Sequence, residues 1–357
     1  MMSLQKSFKL QGRVFGYLNP YVIAEIGVNH EGNLDRAHRM IDSIADAGGH
    51  CAKFQSYKAD LLAAKSTSPA YWDQTKEPTA SQHELFQRWD NFGPDEYSAL
   101  AKHCSARGID FMSTPFDLEA VDMLAHLMPV IKVASADLTN VPLLRKVAAT
   151  GLPVILSVGA SRPDEIGCAV DHLRNAGANE ISLLHCVLNY PTPPDAAELS
   201  QIDLLYNLFG HQCSIGYSDH VPPSENGRMP ALEFATLRGA VVLEKHFTDD
   251  KHGNGNDHYH AMNGEDLAKF IADVRLFRTL GGNAPFALSG QQAAIDNARR
   301  RIVAQRSLEA GSALKESDLI ALRSNVGIEI VHWDSVVGAT LSRPVAAGLP
   351  LSWKDIE

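Results

Sequence analysis

The sequence predicts an α/β fold, a (β/α)8 TIM barrel followed by a small β-rich C-terminal domain. Three observations predict it. Eight apolar, β-rich runs recur with amphipathic helical stretches between them, over about the 250 residues that such a barrel needs. The runs are nearly continuous in apolar character, which suits parallel strands buried on both faces. Their polar residues cluster late in each run, and strand C-termini form the catalytic face of a barrel. A doubly wound sheet uses the same units, so the number of strands is what favours closure.

Taken in order, a polar segment SFKLQGRVFG comes first and reads as a small hairpin. The strands are then YVIAEIGVN (21–29), AKFQ (52–55), IDFMSTPF (109–116), VIKVASAD (130–137), VILSVG (154–159), ISLLHCV (181–187), SIGYSDH (214–220) and VLEKHFT (242–248). Helical stretches such as LDRAHRMIDSIADAG and RPDEIGCAVDHLRNAG each close on a glycine where a C-cap falls. GEDLAKFIADVRLFRTL supplies the last barrel helix, and GGNAPFALSGQQAA reads as a linker. The predicted division is residues 1–281 for the barrel, 282–296 for the linker and 297–357 for the C-terminal domain. A module of about 60 residues is near the lower limit for an independent core, so it is expected to dock on another surface.

The formal charge of −10 over 357 residues argues against a nucleic-acid partner, whose footprint is a basic domain. No apolar stretch approaches the roughly 20 residues of a membrane span, and no charged-then-apolar leader opens the chain, so a cytoplasmic protein without a membrane partner is expected. The five cysteines are dispersed, odd in number and without a C-x-x-C pair, and read as reduced core residues.

The chemistry sits late in the strands. Glu25, Lys53 with Gln55, Thr114, Lys132, Ser135, Ser157, His220, Glu244 and His246 all fall there. Lys53 and Lys132 are point charges suited to phosphate or carboxylate, with the hydroxyls of Thr114, Ser135 and Ser157 completing a cradle. The alternative is a structural network in which the lysines pair with Glu25, Asp117 or Asp137. His220 and His246 lie 26 residues apart on consecutive strands and can share one divalent ion that keeps open positions. The alternative there is a hydrogen-bonded histidine pair. HGNGNDHYH (252–260) reads as a Gly-rich loop over the barrel mouth, with Asp257 as its binding candidate and His252 and His260 in solvent. Within VLEKHFT, alternation turns Glu244 and His246 toward the mouth and Lys245 toward the helices, as an ion-pair partner.

At this point AEIGVNHEGN, AKFQ, MSTPFD, IKVAS, LHCVLNYPTP, YSDH and EKHFT, followed by EAGSALKESDL, resemble the sialic acid synthase family. That family includes N-acetylneuraminate, legionaminate and pseudaminate synthases and spore-coat polysaccharide synthases. The resemblance runs from about residue 20 to the end. It implies a TIM barrel joined to an antifreeze-like (SAF) domain, in a domain-swapped homodimer. It also implies a transferase that condenses phosphoenolpyruvate with an N-acylated hexosamine and water, releasing phosphate and forming a nonulosonic acid. Carried over by position, Lys53, Thr114, Lys132, Ser135 and Ser157 look like the phosphoenolpyruvate cradle. His220 and His246 resemble the ligands of Mn2+, with Mg2+ or Co2+ as alternatives. Glu25, Tyr190, Glu244 and Asp257 resemble the groups around the sugar, and Arg323, in LRSNVGI, matches an arginine that reaches across from the partner. Gln55 is counted with the substrate-binding residues. Glu25, Lys53, Lys132 and Glu244 are the catalytic candidates, Glu25 as the group that positions water or moves a proton.

Departures fall on the sugar side. Leu188 stands where sialate-making members carry an asparagine, and Asn189 is one step off, which on a strand reverses the side-chain direction. The loop VPPSENGRMP is long, and GNDH with YHAMNGEDL replaces the usual pattern. Two other readings stay open. One is a different barrel aldolase with a pyruvate-type donor, metal-dependent or using Lys53 or Lys132 as a Schiff base. The other is a binding module carried by the antifreeze-like domain alone.

Overall fold

The computed structural model describes residues 7–72, 74–75, 77–255, 257–282 and 288–357. The opening segment forms the expected hairpin, β1 (Phe8–Leu10) with β2 (Arg13–Phe15). The eight apolar runs then form β3 (Tyr21–Gly27), β4 (Cys51–Ser56), β5 (Asp110–Pro115), β6 (Ile131–Val133), β7 (Val154–Ser157), β8 (Ile181–Cys186), β9 (Ser214–Asp219) and β10 (Val242–His246). β6 is shorter than its apolar run, because Ser135–Asp137 turn into a 3-10 helix at the strand end.

All eight lie in one parallel sheet, ordered β5-β4-β3-β10-β9-β8-β7-β6. The end strands β5 and β6 pack side by side, so the barrel is nearly closed. Every residue of β3, β8, β9 and β10 is buried, which explains the absence of polar–apolar alternation in their sequences.

The helices between strands bury one stripe each. In Leu34–Asp46 the buried side chains are Ala37, Met40, Ile41 and Ile44, spaced at i, i+3, i+4 and i+7. Asn33 caps its start by accepting the Arg36 N–H, and Gly48 follows its end with φ +84°. Pro163–Asn175 repeats the plan with Ile166, Ala169, Val170 and Leu173, each large aliphatic contributing about 1.5–3 kcal/mol by burial.

The N-terminal end of the barrel is occupied by structural groups. Phe8 and Phe15 pack on Tyr21, with ring centroids 5.9 and 4.8 Å away, and Tyr21 donates to Asp110 Oδ2 at 2.7 Å. Arg13 completes that cluster at 2.5 Å. The C-terminal end is left for the site.

Lys245 faces away from the mouth, as alternation requires. It is fully buried, and its Nζ donates to Asp219 Oδ2 at 2.8 Å and to the Val221 carbonyl at 2.6 Å. Asp219 Oδ1 also accepts from the Val221 N–H and the Tyr217 hydroxyl, both at 2.9 Å, which fixes the turn carrying His220. Removing one partner leaves a buried charge uncompensated, so Lys245→Met is expected to cost about 3–5 kcal/mol of stability, read by urea unfolding. A loss under about 1 kcal/mol would show that Asp219 finds other compensation.

The chain divides into two compact units, Met1–Gly281 and Gly282–Glu357. In the second, β11 (Arg300–Ala304) pairs antiparallel with β12 (Leu319–Arg323) over a separate core that includes Ile302, Leu308, Leu319, Leu341 and Leu351. The run read as a linker is partly structured, since Gln292–Ala298 is helical. Its Gln and Ala residues are good helix formers, which outweighs the loop-like composition. Residues 283–287 of that run lie outside the described residues.

Candidate active site at the strand C-termini

A cavity of about 360 Å³ opens at the C-terminal ends of the strands. Its wall contains Glu25, Lys53, Gln55, Thr114, Lys132, Ser135, Ser157, Tyr190, His220, Glu244, His246 and Asp257, so twelve of the thirteen residues singled out by sequence come together. The thirteenth, Arg323, lies exposed on β12 of the second unit.

The centre of the site is a chain of alternating charge. Lys53 forms a close ion pair with Glu25, lies 3.7 Å from Glu244 Oε2, and donates to Thr114 Oγ1 at 3.2 Å. Lys132 lies 3.7 Å from Glu244 Oε1 and donates to the Val133 carbonyl at 3.1 Å. A register shift in β3 between Glu25 and Gly27 helps aim Glu25 inward. Gly27 has φ +56°, and a Cβ there would meet Gln55 Nε2 at 3.2 Å and Glu25 Oε1 at 3.3 Å, so only glycine suits the bend. Gln55 Nε2 donates to Glu25 Oε1 at 3.0 Å. Asp117 and Asp137, the other partners considered for the lysines, are used locally: Asp117 caps a helix and Asp137 accepts from Asn140.

This network separates the two carboxyls. Burial pushes Glu25 above its ordinary range, and Lys53 offsets that only in part. Burial acts on Glu244 too, but Lys132 and Lys53 outweigh it and hold the carboxyl below its range. The lysines separate likewise. Burial opposes the Lys53 charge, but Glu244 and Glu25 outweigh it and raise the ammonium, whereas burial pulls Lys132 down. Glu25 is therefore the readier proton carrier and Lys53 the fixed cation.

Beside the lysines stand hydroxyls. Ser135 Oγ accepts the Gly159 N–H at 2.9 Å, and Ser157 Oγ is buried without a hydrogen-bond partner among the described residues. A buried hydroxyl in that state beside two ammonium groups suits an oxyanion ligand.

The histidines form the other wall. His220 and His246 have ring centroids 5.4 Å apart, and Tyr190 packs on His220 at 4.2 Å. His220 Nδ1 lies 2.8 Å from the Val187 carbonyl, so it carries the proton and Nε2 the lone pair. His246 Nδ1 is buried, makes no hydrogen bond among the described residues, and stands 3.6 Å from Asp257 Oδ2. Burial lowers His220 to about 4 and His246 to about 3, which keeps both imidazoles neutral and able to ligate. The donor set fits a divalent cation.

One expectation fails. His252 is exposed, but His260 is fully buried, because the loop folds inward and sets its ring 4.9 Å from His246 and 5.8 Å from His220. Sequence reasoning also passed over Ser218, which donates to Glu244 Oε1 at 3.1 Å. Its position two residues before His220, a polar residue inside an apolar strand, was the available signal. Asn29 ties the loop to the end of β10 by donating to the Asp257 carbonyl at 3.3 Å and the Phe247 carbonyl at 2.9 Å, and His258 bonds Thr248 Oγ1 at 2.7 Å.

The NeuB family model matches residues 40–285, and the SAF domain model matches residues 299–357. The chain is 34% identical to the N,N'-diacetyllegionaminic acid synthase of Legionella pneumophila over 94% of each chain. Among solved structures it resembles a spore coat polysaccharide biosynthesis protein E from Chromobacterium violaceum, at 27% identity and a TM-score of 0.78 over 95% of this chain and 99% of that one. It also resembles the N-acetylneuraminic acid synthetase of Leptospira borgpetersenii, at 30% identity and a TM-score of 0.70 over 83% of this chain and 97% of that one. Family match, relatives and barrel agree, and the chain belongs to the NeuB family.

Proposed function

We propose that this chain condenses phosphoenolpyruvate with an open-chain N-acylated hexosamine and water, releasing phosphate by carbon–oxygen cleavage and forming a nonulosonic acid. The observation that carries this reading is the meeting, in one cavity, of two buried lysines, three hydroxyls and a pair of neutral histidines. The names of the relatives, which include legionaminic, pseudaminic and sialic-type synthases, support it.

Lys53, Lys132, Thr114, Ser135 and Ser157 hold the two anionic groups of the donor and fix the approach of carbon 3 to the aldehyde. Such positioning contributes up to about 7–11 kcal/mol. His220 and His246 would hold a divalent ion, Mn2+ in the first instance, which would supply Lewis-acid polarisation of the aldehyde oxygen. Glu25, oriented by Gln55 and raised by burial, positions the water that captures carbon 2 or takes its proton. Glu244, Asp257 and Tyr190 orient the sugar. The working form is a cytoplasmic, domain-swapped homodimer in which the partner's Arg323 reaches the sugar's acyl group.

The acceptor is uncharged at its far end. Tyr71, Trp72, Phe86, Trp89 and Leu188 give the mouth an apolar wall, while Glu31 and Glu77 engage Arg36 and Arg88 in ion pairs at 2.9 and 3.0 Å. Among the described lining residues the lysine and arginine side chains are Lys53 and Lys132, both on the donor side, which leaves a 6-phosphate without a cation.

Phosphate release from phosphoenolpyruvate with Mn2+ tests the reading, screened over N-acetylmannosamine, its 6-phosphate and diacetamido-deoxyhexoses. Release is expected with the uncharged acylated sugars, and no release with any hexose would remove the proposal. In the same assay Glu25→Gln is expected to lower kcat by about 10²–10⁴. Full turnover would show that Glu25 is not the acid–base group.

Lys132 adds a pH dependence. An anion favours the ammonium form, so phosphoenolpyruvate binding raises the lowered Lys132 value and takes up protons between the free and bound values. Affinity is expected to fall as pH rises through the free value. Calorimetry in two buffers of different ionisation enthalpy reads the uptake, and Lys132→Arg should abolish it.

One observation favours a second reading: a lysine depressed by burial, as Lys132 is, also suits a Schiff base. Borohydride with pyruvate decides it, since a trapped adduct on Lys132 would mark a pyruvate aldolase.

A further inference from the structure

The loop after β10 carries a third imidazole into the histidine wall. His246, Asp257 and His260 offer ligand atoms that all lie within 4.8 Å of one another. The three ring centroids of His220, His246 and His260 form a triangle with sides of 5.4, 4.9 and 5.8 Å. With metal–nitrogen bonds of about 2.1 Å, imidazoles sharing one ion at octahedral to tetrahedral angles have centroids about 4.6–5.3 Å apart. The triangle of centroids is near the size that one ion imposes, its longest side closing by about half an ångström, while the ligand atoms of His220 lie outside the 4.8 Å group and close on the other two when the ion binds.

We infer that His260 is a direct third histidine ligand of this ion, making a His220/His246/His260 set with Asp257 as the carboxylate. The inference rests on the metal site of the proposed function and goes beyond its two histidines. His260 is fully buried, and it is not among the side chains that line the cavity. It approaches from within the protein and leaves the cavity side of the ion for substrate.

The chemical consequence is selectivity. Two imidazoles with waters and a carboxylate suit an oxygen-preferring ion such as Mn2+ or Mg2+. A third imidazole shifts the set toward nitrogen, and nitrogen-rich sites favour later first-row ions such as Co2+ and Zn2+. It also leaves fewer exchangeable positions than a two-histidine site, and retains at least one.

The test counts ligands directly and needs no turnover. Cu2+ is loaded into the full-length apo-protein as a spectroscopic probe, and pulsed electron paramagnetic resonance counts the coupled imidazoles. Three are expected in the wild type and two in His260→Ala. Competition titrations should show Co2+ affinity falling by at least about 10–100-fold in His260→Ala, the loss that removing even a ligand's outer hydrogen-bond partner produces, with a smaller loss for Mn2+. His252→Ala, the exposed loop histidine, should change neither. Two imidazoles in the wild type would overturn the inference and leave the proposed function standing. No bound ion in the wild type would overturn both. The wild-type count stands even where His260→Ala does not fold.

Discussion

His246→Ala is expected to abolish metal-dependent turnover, by about a thousandfold or more, while the circular dichroism spectrum and the unfolding transition persist. The size follows from the loss of the ion proposed for His220 and His246, whose Lewis acidity would be worth several kcal/mol, at about 1.4 kcal/mol per tenfold in rate. The fold is spared because His246 Nδ1 makes no hydrogen bond among the described residues, so truncation orphans no protein partner. The neighbouring Lys245 keeps its pairing with Asp219 on the other side of the strand. Kinetics with added Mn2+ and Co2+ check it, and turnover within tenfold of wild type would show that His246 does not hold the ion.

Lys53→Met should cost both activity and stability. Lys53 is the cation between Glu25 and Glu244, and all three are buried. Without it two carboxylates face each other and the Thr114 hydroxyl loses its donor. Breaking a buried pair costs about 3–5 kcal/mol. The stability loss should depend on pH in a definite direction. With Lys53 gone, burial and Glu244 raise Glu25 against the Gln55 hydrogen bond alone, so the folded state binds the proton more tightly than the unfolded chain. A carboxyl raised on folding lowers stability as pH rises from its unfolded to its folded value. The variant should therefore regain stability as pH falls through the folded value of Glu25 toward the unfolded carboxyl range. Urea unfolding across that range checks it, and a loss independent of pH would mean that Glu25 stays ionised without Lys53. Activity should fall by at least a hundredfold even at saturating donor, because the anion's approach geometry depends on this ammonium.

Much of this site was legible before any coordinates. Lys53, Lys132, Glu244 and His246 are costly inside apolar strands, and their late positions placed them at one end of the barrel. Alternation was enough to separate Lys245 from its neighbours, because the period of a strand is two. His260 was illegible for the opposite reason. A Gly-rich loop has no period, and its inward fold depends on long-range bonds such as that of Asn29 to the Asp257 carbonyl. The aromatic wall was hidden similarly. Tyr71 and Trp72 sit in the excursion after β4, and no local pattern tells which loop side chains meet a cavity. The helix Gln292–Ala298 was legible in propensity, and loop-like composition masked it.

The two halves of the cavity, which the proposed reaction assigns to donor and acceptor, differ in how they are wired, and that difference bears on how the protein can evolve. Donor residues are coupled strand to strand: a change at Lys53 reaches Glu25, Glu244 and Thr114 at once. Strong epistasis of that kind closes most mutational paths. The proposed acceptor wall is carried largely by the aromatic side chains of the excursion after β4, which take no part in that charge network. Drift there changes the shape offered to a sugar at little risk to folding. A lineage built on this chain is therefore free to explore new acceptors while its donor chemistry stays frozen.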